Sequence, residues 1–350
     1  MAAARLLLGG PIATEIRASV ETDVASFVAS YGYRPGLAIV IVGKDAPSTV
    51  YLGQILRSCA QVGIEGRLVE IEGRVSAARL RRQLVELNED PLVSGIIVQM
   101  PLPPGLPLAS VLDTLDPGKD VDGIHPRNAG LLTLGYDGFL PTTAHAAVEI
   151  LKRSGIQIDG RTAVVVGRSN VVGKPAAALL LRENATVIIC HSHTRDLAKH
   201  VKSADIVLVA AGQPGLITGN MLRRGAVVLD VGINVVEGGI VGDVDFASAS
   251  PVASAITPVP GGVGPVTNAL LLTHVMRAAR AQAAAESAGG GATSGQDRVG
   301  RRSGTPVRAA AEAGATVPDA TAMTGATAGA PATAKPATGT RAARGAPVVR

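Results

Sequence analysis

Apolar runs of strand length alternate with helical periodicities over residues 37–103. They are LAIVIVG at 37–43, a helical pattern through STVYLGQILRSC at 48–59, RLVEI at 67–71, a helical pattern over 75–89, and SGIIVQMPLP at 94–103. Continuous apolar strands separated by helices predict a parallel sheet covered on both faces, since side chains on either face of each strand are then buried. DPGKDVDGIHP at 116–126 is rich in Gly, Pro and Asp and reads as loop, and TTAHAAVEILKRSG at 142–155 reads as a connecting helix. A second series follows, with TAVVVGRSNVVGKPAAALLL, ATVIICHS, ADIVLVAAG and GAVVLDVGIN. Two successive α/β domains are predicted: residues 1–140, and residues 141–264 of the mononucleotide-binding kind. A last amphipathic helix, from about Thr267 to Ala284, is expected to pack back on the first domain.

Composition changes this picture at one end. From residue 287 to 350 the chain is mainly Ala, Gly, Thr, Pro and Arg with no apolar period, so nothing there offsets the cost of ordering and a disordered tail is expected. The tail holds eight Lys or Arg against three acidic residues, which accounts for the whole net charge of +5. Residues 1–286 are therefore neutral, and no basic face for nucleic acid is implied. Cys59 and Cys190 lack metal or redox spacing, which fits a reducing cytoplasm and no metal. No segment reaches the roughly 18 unbroken apolar residues of a membrane span.

The stretch VVVGRSNVVGKP at 164–175 carries the first candidate chemistry. It reads as a strand, a glycine turn and a helix start, although Ser169 occupies the second glycine of a G-x-G-x-x-G fingerprint. Gly167 permits a tight turn, Gly173 close packing, and backbone N–H groups at a helix start favour an anion. Arg168 and the Ser169 hydroxyl add donors. A plain structural turn remains an alternative at this point. NAD-specific folds place Asp or Glu roughly 20 residues further on; here CHSHT at 190–194 contains no carboxylate, which favours NADP over NAD.

VQMPLP at 98–103, KDVDGIHPRNAG at 119–130, VVVGRSNVVGKP, VVLDVGIN at 227–234 and ITPVPGGVGPVT at 256–267 together resemble the bifunctional methylenetetrahydrofolate dehydrogenase/methenyltetrahydrofolate cyclohydrolase family. The resemblance covers about residues 5–283. It implies two α/β domains flanking a cleft, the second a Rossmann-like NAD(P)-binding domain, with the C-terminal helix at 265–284 completing the first. It also implies a homodimer, a folate substrate and a place in one-carbon metabolism. By the same resemblance Tyr51, Gln99 and Asp122 are catalytic, and the folate site comprises Ser48, Tyr51, Gln99, Asp122, Pro260, Gly261 and Gly262. The cofactor set is Gly167, Arg168, Ser169, Gly173, Ser192, Ile233 and Thr267. Residue chemistry agrees in part: a carboxylate such as Asp122 can accept two parallel N–H bonds from an aminopyrimidinone edge. Asp120 reads instead as turn chemistry.

The sequence departs from the family at position 55. The family pattern is Y-x-x-x-K, and its lysine serves the cyclohydrolase step; here Ile55 follows Tyr51 one helical turn on. Arg57 faces elsewhere and would not deprotonate in any case. The reading is a dehydrogenase with weak or absent cyclohydrolase activity, the alternatives being a fully bifunctional enzyme or a non-catalytic folate- or nucleotide-binding paralogue. A second departure lies at PTTAHA, where Thr142 replaces a cysteine and Ala144 a proline.

Overall fold

The computed structural model describes residues 4–43, 46–71 and 75–288, with the side chains of residues 46–51 outside the description. The expected disordered tail lies outside the described residues from Gly289 onward. In chain order the elements are β1 (Arg5–Leu6), α1 (Gly9–Tyr31), β2 (Gly36–Val42), α2 (Ala46–Val62), β3 (Glu65–Ile71), α3 (Ala77–Glu89), β4 (Gly95–Val98), α4 (Ala109–Leu112), α5 (Pro126–Thr133) and α6 (Thr142–Arg153). They continue with β5 (Thr162–Val166), α7 (Gly173–Arg182), β6 (Thr186–Cys190), α8 (Leu197–Lys202), β7 (Ile206–Val209) and β8 (Val227–Asp230). The hairpin β9 (Asn234–Val236) and β10 (Gly239–Val241), then α9 (Phe246–Ala249), β11 (Ala255–Ile256) and α10 (Val263–Ala288) complete the order.

Two parallel sheets result. The smaller has the order β3-β2-β4. The larger has the order β1-β11-β8-β7-β5-β6, and every pairing in it is parallel. Its strand order reverses between β5 and β7, where a doubly wound sheet opens a ligand crevice at its carboxyl edge. The chain thus begins in the larger sheet, because β1 pairs with β11, before it builds the smaller one.

Both sheets are buried on both faces, as their unbroken apolar strands require. In the smaller sheet Leu37, Ile39 and Ile41 face one core while Ala38, Val40 and Val42 face another. In the larger, Ala163 and Val165 face one core and Val164 and Val166 its opposite. The core shared by the two sheets is threaded by α1, α6 and α10. Helix α10 differs from the amphipathic expectation, since Val266 to Leu272 are consecutive and all buried. A helix apolar around most of its circumference belongs inside a protein, and α10 packs against α1 and α6.

Candidate active site

The folate-side residues leave the smaller sheet at its carboxyl edge. Helix α2 starts just after β2 and carries Ser48 and Tyr51, whose side chains lie outside the described residues. Gln99 follows β4 directly; its backbone N–H donates to Val40 at 2.8 Å, and its half-buried side chain donates to the Met100 carbonyl at 3.0 Å. The KDVDG segment runs beside β4, with Asp120 bridged in parallel to Ile96. Gln99 and Asp122 therefore emerge at the same end of the sheet.

Within KDVDG the charged residues divide between fold and site. Lys119 is buried and its Nζ donates to the carbonyls of Leu87 at 3.2 Å and Asp90 at 2.9 Å, closing the C-terminal end of α3. Asp120 is fully buried and accepts from the N–H groups of Ile124 and His125 and from Asn128 Nδ2 at 2.8–3.1 Å. Asp122 is half-buried, and only the Thr142 hydroxyl donates to it among the described residues, to Oδ1 at 2.5 Å. Its Oδ2 accepts no hydrogen bond from the described residues. Burial pushes the Asp122 carboxyl up to about 6, the Thr142 bond opposes this, and the charge of Asp120 adds to it.

Ile55 lies in the core. With Leu52, Cys59 and Val62 it forms a stripe of α2 turned into the shared core, and its exposure is 0%. Burial in that stripe pushes the Cys59 thiol up to about 12. Arg57 is exposed on another face of the helix.

The cofactor-side candidates gather at the carboxyl edge of the larger sheet. Gly167 follows β5 with φ of +130°, and a Cβ there would stand 2.1 Å from the Ala210 carbonyl oxygen beyond β7, so only glycine fits at the reversal of strand order. A Cβ on Gly173 would stand 2.3 Å from the Gly167 oxygen. Ser169 Oγ accepts from the N–H groups of Val172 and Gly173, capping α7 and leaving its own proton to donate. Among the described residues the N–H groups of Arg168, Ser169, Asn170 and Val171 have no partner. Four free donors at a helix start suit the phosphates of a nicotinamide nucleotide.

Beyond β6, Ser192 is exposed and the His191 N–H donates to Thr194 Oγ1 at 2.8 Å. Partial burial first, then the positive charges of Arg168 and His193, pushes the His191 imidazole down. Arg168 thus shares the rim with both histidines. Ile233 is 68% exposed just past β8. Thr267 is buried one turn into α10, its hydroxyl donating to the Val263 carbonyl at 3.2 Å.

Two further carboxylates, not singled out from the sequence, hold this rim together. Asp230 accepts from the N–H groups of Gly232, Asp243 and Val244 at 2.9–3.0 Å. Asp243 accepts from Ala211, Gly212 and Asn234 at 2.6–2.8 Å. Cβ atoms on Gly242 and Gly232 would strike Asp230 and Asp243 respectively, so the glycines beside them were the available signal. Thr257 Oγ1 accepts the Asp230 N–H at 2.8 Å and ties the lattice to the segment ending in Pro260, Gly261 and Gly262. Pro260 and Gly261 are exposed, while Gly262 is buried against the start of α1.

The family models for the tetrahydrofolate dehydrogenase/cyclohydrolase catalytic domain and its NAD(P)-binding domain match residues 7–122 and 141–283. The chain belongs to the tetrahydrofolate dehydrogenase/cyclohydrolase family. The bifunctional protein FolD of Roseiflexus sp. (strain RS-1) is 49% identical over 280 residues, covering 80% of this chain and 97% of the relative. FolD of Moorella thermoacetica is 49% identical over 278 residues, covering 79% and 99%. Among solved structures, the FolD dehydrogenase/cyclohydrolase of Campylobacter jejuni superimposes with a TM-score of 0.78 at 38% identity, covering 79% of this chain and 99% of that one. The Trypanosoma brucei family member, solved with NADP cofactor and inhibitor, gives 0.77 at 38% identity, covering 80% and 99%.

Proposed function

We propose that this chain is an NADP⁺-dependent 5,10-methylenetetrahydrofolate dehydrogenase whose methenyltetrahydrofolate cyclohydrolase activity is weak or absent. Family membership and the half-engaged carboxylate of Asp122 support the first part. The fully buried Ile55 carries the second.

When bound, the nicotinamide supplies the hydride acceptor. Gly167, Ser169 and Gly173 shape the phosphate turn, Arg168 offers its charge to the 2′-phosphate, and Ser192, Ile233 and Thr267 complete the set. Asp122 holds the pterin through its free oxygen, while Ser48, Tyr51, Gln99 and the Pro260–Gly262 segment position the rest of the folate. Removing hydride from the methylene carbon leaves an amidinium that delocalises its own charge. The residues therefore need only hold donor and acceptor at about 3 to 3.5 Å, and no side chain has to move a proton.

Hydrolysis of the methenyl product is more demanding, because water addition and C–N cleavage gain roughly 10² to 10⁴-fold from placed acid–base groups. An isoleucine cannot contribute. The names of the relatives favour the fully bifunctional reading, in which Tyr51, Gln99 and a water suffice. Position 55 argues against it.

The reading includes a homodimer in the cytoplasm. Exposed Val235 and Ile240 on the β9–β10 hairpin offer apolar surface for self-association. Both cysteines are free and buried, and among the described residues no helix is long and apolar enough to cross a membrane. Purified protein should reduce NADP⁺ in the presence of 5,10-methylenetetrahydrofolate and do so more slowly with NAD⁺. No reduction of either nucleotide would leave the non-catalytic paralogue as the better reading.

A further inference from the structure

We propose that Thr142 is a positioning residue for the dehydrogenase reaction, its hydroxyl orienting the Asp122 carboxylate so that Oδ2 faces the pterin. The inference rests on the folate-binding role of Asp122 given above. Its geometric basis is independent of that role.

Asp122 is fixed from both sides. On one side His274 of α10 bonds the carbonyl of the preceding Val121 through Nδ1 at 2.8 Å. On the other, Gly123 has φ of +68°, and a Cβ there would stand 2.5–2.7 Å from the backbone of Leu140 and Pro141. That close approach lays the first residue of α6, Thr142, against the Asp122 turn. Thr142 is 3% exposed, so its hydroxyl has little water to turn to, and it donates to Asp122 Oδ1. Of the two oxygens, one is anchored and one is left toward the ligand.

A hydroxyl at this position differs from the cysteine of the family pattern in donor strength. An S–H is a weak donor, whereas an O–H to a carboxylate forms a short, charge-assisted bond. The start of α6 adds its positive end to the same carboxylate. Both effects favour the ionised form, against burial and against Asp120, which push the other way. Other titratable groups packed around this turn include His125 of the same turn, His274 and His145, stacked at 5.5 Å, and Arg277 of α10. Burial pushes His274 down to about 4, so its imidazole stays neutral across the range tested, and burial lowers His145 as well.

The test compares the full chain with Thr142→Val and Thr142→Ser, measuring initial rates with NADP⁺ and 5,10-methylenetetrahydrofolate from pH 6 to 8.5. Thr142→Val should raise KM for the folate on the order of tenfold, the usual effect of losing a hydrogen bond to a charged group. It should leave kcat within about twofold and KM for NADP⁺ unchanged. Without the donor the carboxylate protonates more readily, so the acid-side rise in KM should begin at higher pH. Thr142→Ser, which keeps the donor, should recover the wild-type profile. Thr142→Ala provides the same comparison if the valine variant does not accumulate.

A wild-type folate KM and an unmoved acid limb in Thr142→Val would overturn the inference, as would equal losses in the serine and valine variants. Either result leaves the dehydrogenase reading intact if the unsubstituted chain turns over. Absence of turnover in the unsubstituted chain would remove that reading and this inference together.

Discussion

The turn that carries Asp122 runs beside β4 and the helix that carries Ile55 follows β2, yet they offer opposite things to the proposed site. On the turn, Lys119 and Asp120 satisfy the local backbone and Asp122 keeps a carboxylate oxygen in reserve. On α2, the fold takes the residue entirely, because Ile55 completes a core stripe with Leu52, Cys59 and Val62. The difference separates two requirements of the family's chemistry. On the proposed reading, a group that binds and orients is retained, while the position of the group that would move a proton has become packing.

The largest expected effect breaks the binding side. Asp122→Asn should lower kcat/KM for the folate about 10² to 10³-fold, as expected for neutralising a half-buried charged hydrogen-bond partner. The melting temperature should hold to within a few degrees, since Asp122 supports no backbone donor. The reverse substitution on the helix tests the other side. Ile55→Lys should raise methenyl hydrolysis about 10²-fold over the unsubstituted chain. It should also cost roughly 2 to 4 kcal/mol of stability, read by denaturant unfolding, because a core side chain is replaced by an amine.

Asp120→Ala sharpens the contrast within the turn. It leaves the N–H groups of Ile124 and His125 and the Asn128 amide without their acceptor, and about 3 kcal/mol of stability should be lost. Any fall in folate affinity should be secondary to that loss. The pH profile separates the two carboxylates without mutation. On the proposed reading Asp122 binds the folate as a carboxylate, and burial raises its pKa to about 6, so KM for the folate should be flat above that value and climb as pH falls through it. The smallest effect lies at the cofactor rim, where Arg168→Ala should reduce the NADP⁺ over NAD⁺ preference by about tenfold, measured as the ratio of kcat/KM.

Much of this was legible in the chain. The parallel strands announced themselves as unbroken apolar runs, and the glycine turn at 167–173 fell where a strand meets a helix. Other elements carried weaker signals. Helix α1 buries Ile16, Val20, Val24 and Phe27 at near-helical spacing, but it opens on Gly9, Gly10 and Pro11, a weak start for a helix. β1 and β11 span two residues each, too short for any period to register.

At the site, Asp120 reads from the sequence as turn chemistry, and the structure shows its carboxylate taken up by Ile124, His125 and Asn128. In the sequence Thr142 shows only as a departure from the family's cysteine. Its role depends on Gly123 bringing α6 against a residue twenty positions earlier. Ile55 was recognisable as a departure, yet its assignment to the core required the positions of α1 and α10.

The most direct measurement is a paired assay on one preparation of the full chain. NADP⁺ reduction with 5,10-methylenetetrahydrofolate is followed beside hydrolysis of 5,10-methenyltetrahydrofolate corrected for the spontaneous rate. The account predicts robust reduction with hydrolysis close to the uncatalysed rate. Hydrolysis at a rate comparable to the dehydrogenase reaction would contradict it, and would show that the site moves its proton without a lysine at position 55.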